Sequence, residues 1–133
     1  SLEVSIAVSD AQIDMDFSAC DTVVYPPVHL ENILQNLITN AIKFRQKKGK
    51  PHIKVLSAIE NGKPCLIVSD NGRGIDLKAY GEKLFGMFQR FHLDVDGKGI
   101  GLHLTQNVVE SNGGHIEVES ELGKGTTFKV YLS

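Results

Sequence analysis

No stretch of this 133-residue chain is apolar for long enough to cross a membrane, and its first residues lack the pattern of a secretion signal. It has only two cysteines, Cys20 and Cys65, far apart and outside any C-x-x-C spacing. That excludes a disulfide framework, and both thiols read as reduced packing residues of a cytosolic protein. The five histidines show no H-x-x-x-H spacing, which removes the usual helical zinc motif. A basic face is lacking too: 14 Lys and Arg stand against 16 Asp and Glu, for a formal charge of −2 and a pI near 6.2. The one basic cluster, residues 45–50, reads as a solvated loop, so no nucleic-acid partner is expected. The chain does have 41% hydrophobic residues, enough for one core without staples. It opens at Ser1 and not at methionine, so it reads as an excised piece of a longer protein, whose missing part could hold a membrane segment.

The apolar residues follow two different periods. Alternation at Ile13, Met15 and Phe17 predicts a half-buried strand, and Leu2, Val4, Ile6 and Val8 repeat it, although residues 1–10 read equally as the tail of a preceding element. Pro26 and Pro27 supply a helix start, and Leu30, Ile33, Leu34, Leu37, Ile38, Ala41 and Ile42 keep the helical period to about Phe44. Residues 53–59 and 64–69 read as strands joined by the hairpin signal Asn61-Gly62. A short helix is expected over residues 77–84, followed by an aromatic patch at 85–91 and a polar stretch at 92–98. Gly101 opens a second amphipathic helix that stops at Asn112-Gly113, and residues 115–120 and 126–132 alternate as a closing strand pair around Gly123-Lys124-Gly125. The expected fold is α+β, a single domain over residues 1–133, with a mainly antiparallel sheet of about five strands packed on about three helices in a two-layer sandwich.

Chemistry enters with the string DNGRGID, residues 70–76, which follows the apolar run Leu66-Ile67-Val68. A buried strand that ends in a glycine-rich turn puts Asp70 where a ligand can lie close to the backbone at Gly72 and Gly74. A carboxylate only accepts hydrogen bonds, so it suits the exocyclic amine of adenine and repels the carbonyl that guanine carries there. On the long helix, Asn36, Asn40 and Lys43 share one face at the edge of the apolar stripe. Carboxamide oxygens can bind a hard cation and lysine can neutralise phosphate; the alternative is a solvated helix flank. In GKGIGL, residues 97–102, glycines leave backbone N–H groups uncovered where a helix begins, which suits an anion. The string is not a Walker A loop, since no G-K-S or G-K-T occurs, and Leu102 stands where a dinucleotide fingerprint needs its third glycine. Either glycine string alone is also a common turn.

Read in order, LQNLITNAIKF, DNGRGID, LFGMFQRF, GKGIGLHL and GKGTTF resemble the N, G1, F, G2 and last glycine boxes of the sensor histidine kinase ATP-binding domain. The resemblance runs from about residue 12 to the end and implies the Bergerat fold, shared with gyrase and the heat-shock chaperone ATPases. It implies ATP and Mg²⁺ as cofactors and catalytic roles for Asn36, Asn40 and Lys43, with Asn40 on the metal and Lys43 on a phosphate. It further implies that Asp70 receives the adenine amine, that Gly72, Gly74 and Ile75 shape the base pocket, that Lys98, Gly99, Gly101 and Leu102 surround the phosphates, and that Thr126 reaches adenine through a water. Phe85 and Phe88 resemble anchors of a lid over residues 92–98. Hydrolytic relatives carry a glutamate where this chain has Asn36, and serine kinases of the anti-sigma type usually keep an acid there; a carboxamide is no useful base at neutral pH. The resemblance therefore implies transfer of the γ-phosphate to a histidine, with a Bergerat ATPase, a serine kinase or a non-catalytic nucleotide-binding module as alternatives. Neither His29 nor His103 has the acidic neighbour of the family's phosphoacceptor. The expected partners are the protein's own phosphoacceptor and dimerisation helices, absent from this chain, and a response regulator, with the domain on the cytoplasmic side and touching no membrane itself.

Overall fold

Proline at a first helical position loses no hydrogen bond, and Pro27 begins α1 (Pro27–Lys43) in a computed structural model that describes residues 10–81, 84–85 and 101–133. The helical spacing of its apolar residues puts Ile33, Leu37, Ile38, Ala41 and Ile42 on one buried face. Each large side chain there contributes about 1.5–3 kcal/mol by leaving water. Around α1 the described chain runs β1 (Gln12–Asp16), β2 (His52–Glu60), β3 (Lys63–Asp70), α2 (Leu77–Tyr80), α3 (Gly101–Ser111), β4 (His115–Glu121) and β5 (Gly125–Tyr131).

The five strands form one sheet in the order β1-β2-β3-β5-β4. Only β1 and β2 pair in parallel, because α1 carries the chain back between them, and the remaining three pairs are antiparallel. The β2–β3 hairpin turns at Asn61 and Gly62, whose φ angles of 54° and 75° are the left-handed pair that the dipeptide predicts. Alternate residues Ile53 and Val55, Leu66 and Val68, and Phe128, Val130 and Leu132 face the helices and complete the core with Val109 of α3. The arrangement is the two-layer α+β sandwich expected from the sequence.

The other sheet face carries a polar cluster. The Tyr131 hydroxyl donates to Glu60 Oε2 at 2.6 Å, Lys129 Nζ donates to Glu60 Oε1 at 3.1 Å, and the His115 ring stacks on Tyr131 with centroids 4.4 Å apart. Beneath them Cys65 is buried, and burial pushes its thiol up to about 11. Two expectations need correction. The helix predicted over residues 77–84 ends at Tyr80, after one turn capped by Asp76, whose Oδ1 accepts from Lys78 N and Ala79 N. β1 is also less buried than its alternation suggests: as an edge strand it has one neighbour, and Met15 is 56% exposed. The apolar pattern within residues 1–9 lies outside the described residues.

Candidate functional site

Asp70 is the last residue of β3, and the turn that follows bends back onto its carboxylate. One oxygen, Oδ1, accepts from Gly72 N at 2.8 Å and from Thr126 N at 3.3 Å. The other, Oδ2, receives no bond from the described residues. Burial pushes the Asp70 carboxyl above its ordinary value, against the pull of the two backbone N–H groups. Asp70 lies in a pocket lined by Asn40, Ala41, Phe44, Asp70, Gly74, Ile75, Leu102, Thr126 and Phe128, with about 340 Å³ of empty space counted to its open mouth. The lining is apolar apart from Asp70, Asn40 and Thr126, so it offers flat contact to a ring and a few fixed polar contacts at its edge.

Asn40 also lines the pocket. Its carboxamide makes no hydrogen bond to the described residues, and its Oδ1 lies 4.0 Å from where a Cβ on Gly101 would stand, at the first turn of α3. An uncommitted oxygen facing a helix N-terminus fits a hard cation held between the protein and an anionic ligand. Among the described residues no group of three or more His, Cys, Asp or Glu could hold a metal by itself, so Mg²⁺ here would depend chiefly on phosphate and water oxygens.

The structure divides the helix face predicted from spacing. Asn40 lines the pocket, but Asn36 Nδ2 donates to Thr105 Oγ1 at 3.2 Å, and Thr105 in turn donates to Gly101 O at 2.9 Å. Asn36 thus ties α1 to the first turn of α3. Lys43 is exposed at the end of α1. Ile75, Leu102 and Thr126 are buried and line the pocket, as does Gly74; Gly72 sits behind Asp70, and Gly101 opens α3. Lys98, Gly99, Phe88 and the expected lid at residues 92–98 lie outside the described residues. Phe85 packs edge-on against Phe128 at 6.4 Å. His103 Nδ1 donates to Phe85 O at 3.1 Å, while its Nε2 accepts from Asn107 at 3.3 Å, so both ring nitrogens have protein partners.

Three loops meet behind Asp70, a junction that no local pattern announces. Arg73 N donates to Phe44 O at 2.9 Å, Arg73 Nε to Arg45 O at 3.0 Å, and Gly123 N to Arg73 O at 2.8 Å. Gln46 Nε2 donates to Gly72 O at 2.8 Å and to Gly123 O at 3.3 Å. The basic cluster at 45–50 is therefore not wholly a solvated loop: Lys47, Lys48 and Lys50 are exposed, while Arg45 and Gln46 turn inward. Among the described residues, close approach of another backbone requires glycine at Gly72, Gly74, Gly114 and Gly125. A Cβ on Gly74, at φ +74°, would stand 2.1 Å from Glu121 O, and one on Gly125, at φ +139°, 2.0 Å from Asp70 O. Gln46, Ser120 and Gly125 are the supporting residues that sequence reasoning missed; only Gly125, within GKGTTF, had a signal.

A roomier cleft, with about 580 Å³ of empty space counted in the same way, lies at the other end of the core, beside Leu30, Leu34, Leu66 and Leu132. Its one charged side chain is Asp21, the wrong sign for phosphate, and it contains none of the predicted residues.

Residues 26–133 match the family described as histidine kinase-, DNA gyrase B- and HSP90-like ATPases. The chain is 38% identical over 110 residues to the circadian input-output histidine kinase CikA of Synechococcus elongatus, covering 80% of this chain and 14% of that protein. It is 37% identical over 130 residues to cyanobacterial phytochrome A of Nostoc, covering 96% of this chain and 16% of that protein. The chain thus spans about a sixth or less of the length of these relatives. The solved structure of the mycobacterial sensor histidine kinase MprB superposes with a TM-score of 0.80 at 21% identity, covering 97% of this chain and 88% of that one, a likeness of fold.

Proposed function

Because the chain belongs to the family of histidine kinase-, DNA gyrase B- and HSP90-like ATPases, we propose that it is the catalytic half of a two-component sensor kinase, binding Mg²⁺-ATP and giving up the γ-phosphate to a histidine on another domain. The observation that carries this reading is the pinned carboxylate of Asp70: one oxygen held by two backbone N–H groups, the other without a bond from the described residues, in an apolar pocket that Asn40 also lines. An adenine ring slides between Phe128, Ile75 and Leu102 and gives an amine hydrogen to Asp70, which orients the phosphates toward Asn40 and the first turn of α3.

On this reading Asn40 supplies the protein's oxygen to Mg²⁺, and the N–H groups at the start of α3 share the phosphate charge; Lys43 adds a mobile cation at the rim. Bound Mg²⁺ would supply charge neutralisation on the phosphates. Asn36, bonded to Thr105, has no basic lone pair to activate water, so the described residues provide positioning and charge balance without a general base. An imidazole acceptor needs no such base, because its nitrogen lone pair already attacks. The domain works on the cytoplasmic side beside its phosphoacceptor helices, whose phosphohistidine passes the phosphate onward to a response regulator. No helix among the described residues is long and apolar enough to cross a membrane.

Calorimetry with ATP, ADP and adenosine, with and without Mg²⁺, tests the reading. Mg²⁺-dependent binding of ATP with slow hydrolysis is expected; turnover by this chain alone at the rate of a dedicated ATPase would favour the hydrolytic alternative.

A further inference from the structure

Ser120 of β4 faces the pocket wall from behind and makes three short contacts. It accepts from Ile75 N at 2.7 Å, it donates to Gly125 O at 2.9 Å, and its Oγ lies 2.8 Å from Thr126 Oγ1. A serine hydroxyl has one hydrogen and two acceptor lone pairs. Ile75 N can only donate and Gly125 O can only accept, so the single Ser120 hydrogen goes to Gly125. The hydrogen between the two hydroxyls must therefore come from Thr126. Thr126 is 7% exposed and lines the pocket beside Asp70, so its hydroxyl turns only an acceptor toward a ligand.

We infer that Ser120 is a specificity-determining positioning residue: by taking the Thr126 hydrogen, it makes Thr126 and Asp70 a pair of acceptors that admits a 6-amino purine and rejects a 6-oxo purine. The inference rests on the adenine-nucleotide reading above and adds to it a residue that never touches the ligand. An amine edge meets two acceptors that it can satisfy directly or through a water. A carbonyl edge meets two acceptors and no donor. Without the Ser120 oxygen, the Thr126 hydroxyl can rotate its hydrogen into the pocket and donate to that carbonyl.

The test is the ratio of dissociation constants for inosine diphosphate and ADP, measured by calorimetry on the chain and its variants, with folding checked by circular dichroism. Ser120→Ala should narrow the ratio by about five- to tenfold, the worth of one hydrogen bond, chiefly through tighter inosine diphosphate binding. Ser120→Cys, nearly isosteric with a weak sulfur acceptor, should move it in the same direction if the alanine variant folds poorly. Ser120→Thr, which keeps the hydroxyl, should restore it. In a Thr126→Val background no hydroxyl is left to rotate, and Ser120→Ala should leave the ratio unchanged. A ratio indifferent to Ser120, or one that narrows equally in both Thr126 backgrounds, would overturn the inference while ADP binding stands. Wild-type protein that binds no adenine nucleotide would overturn both.

Discussion

Asp70→Asn separates what the carboxylate does for a ligand from what it costs the fold. In the wild type, Oδ1 is occupied by the N–H groups of Gly72 and Thr126, at 2.8 and 3.3 Å. An asparagine must keep its oxygen on those two donors, so its Nδ2 replaces Oδ2 and presents hydrogens to the adenine amine. One charge-assisted hydrogen bond is lost and two donors face each other, a penalty of about 1.5–3 kcal/mol, or roughly ten- to a hundredfold in ATP affinity by calorimetry. The same amide can donate to a 6-carbonyl, so the preference for ADP over inosine diphosphate should shrink. Stability should move the other way. Burial raises the Asp70 pKa in the folded chain above its ordinary value of 3.8, so the unfolded chain releases this proton more easily. Stability from this group is therefore lost as pH rises from about the unfolded value through the folded one. Unliganded Asp70→Asn should melt above wild type at pH 7, and the gap should close as pH falls toward 3.8. Unchanged ATP affinity would remove Asp70 from the site, and a gap that widens in acid would refute the burial argument.

Asn40→Ala should abolish the enhancement of nucleotide affinity by Mg²⁺ while leaving metal-free ADP binding almost unchanged; titrations with Mg²⁺ and with a chelator decide this. Asn36→Ala should remove a bond to the buried Thr105 hydroxyl and lower stability by about 0.5–1.5 kcal/mol in urea unfolding, with a much smaller effect on ATP affinity than Asn40→Ala. Gly74→Ala should be far more damaging than Gly123→Ala, although both positions have positive φ. The first Cβ would collide with Glu121 O at 2.1 Å and the second meets nothing within 4 Å, so Gly123→Ala should cost only about 1–2 kcal/mol of conformational strain in thermal melts. Iodoacetamide at pH 8 should label Cys20 and spare Cys65 in the native chain, since Cys65 is buried with its thiol at about 11; mass spectrometry showing equal labelling would contradict the packing of the sheet's polar face.

The legible parts of the fold were those written in short periods. The apolar repeat of α1, the Asn61-Gly62 turn and the alternation of β4 and β5 each state a local geometry, and each appears where the residues ask for it. The place of Asp70 at the end of β3 was legible because an apolar run gives way there to a charged residue and glycines. The three-loop junction was not, because it joins residues distant in the chain: Gln46 contacts Gly72 and Gly123, 26 and 77 residues away, through main-chain carbonyls that every residue type possesses. Asn36 shows the limit of helical spacing. Sharing a face with Asn40 is a statement about α1 alone, and it is Thr105 of α3 that decides where the Asn36 carboxamide points. The exposure of Met15 has a similar origin, since alternation marks a face but the number of neighbouring strands sets its burial.

The central claim is that this chain holds the donor of a phosphoryl transfer whose acceptor lies elsewhere. Phosphoryl transfer depends on placing the acceptor in line, and a misplacement of about an ångström can cost on the order of a hundredfold. Incubation with γ-labelled ATP, alone and with the phosphoacceptor helices that the proposed function calls for, tests this directly. The account predicts no stable label on the chain alone and an acid-labile, base-stable phosphohistidine on the added helices. Stable label on the isolated chain, or rapid release of labelled phosphate with no transfer to the helices, would contradict it.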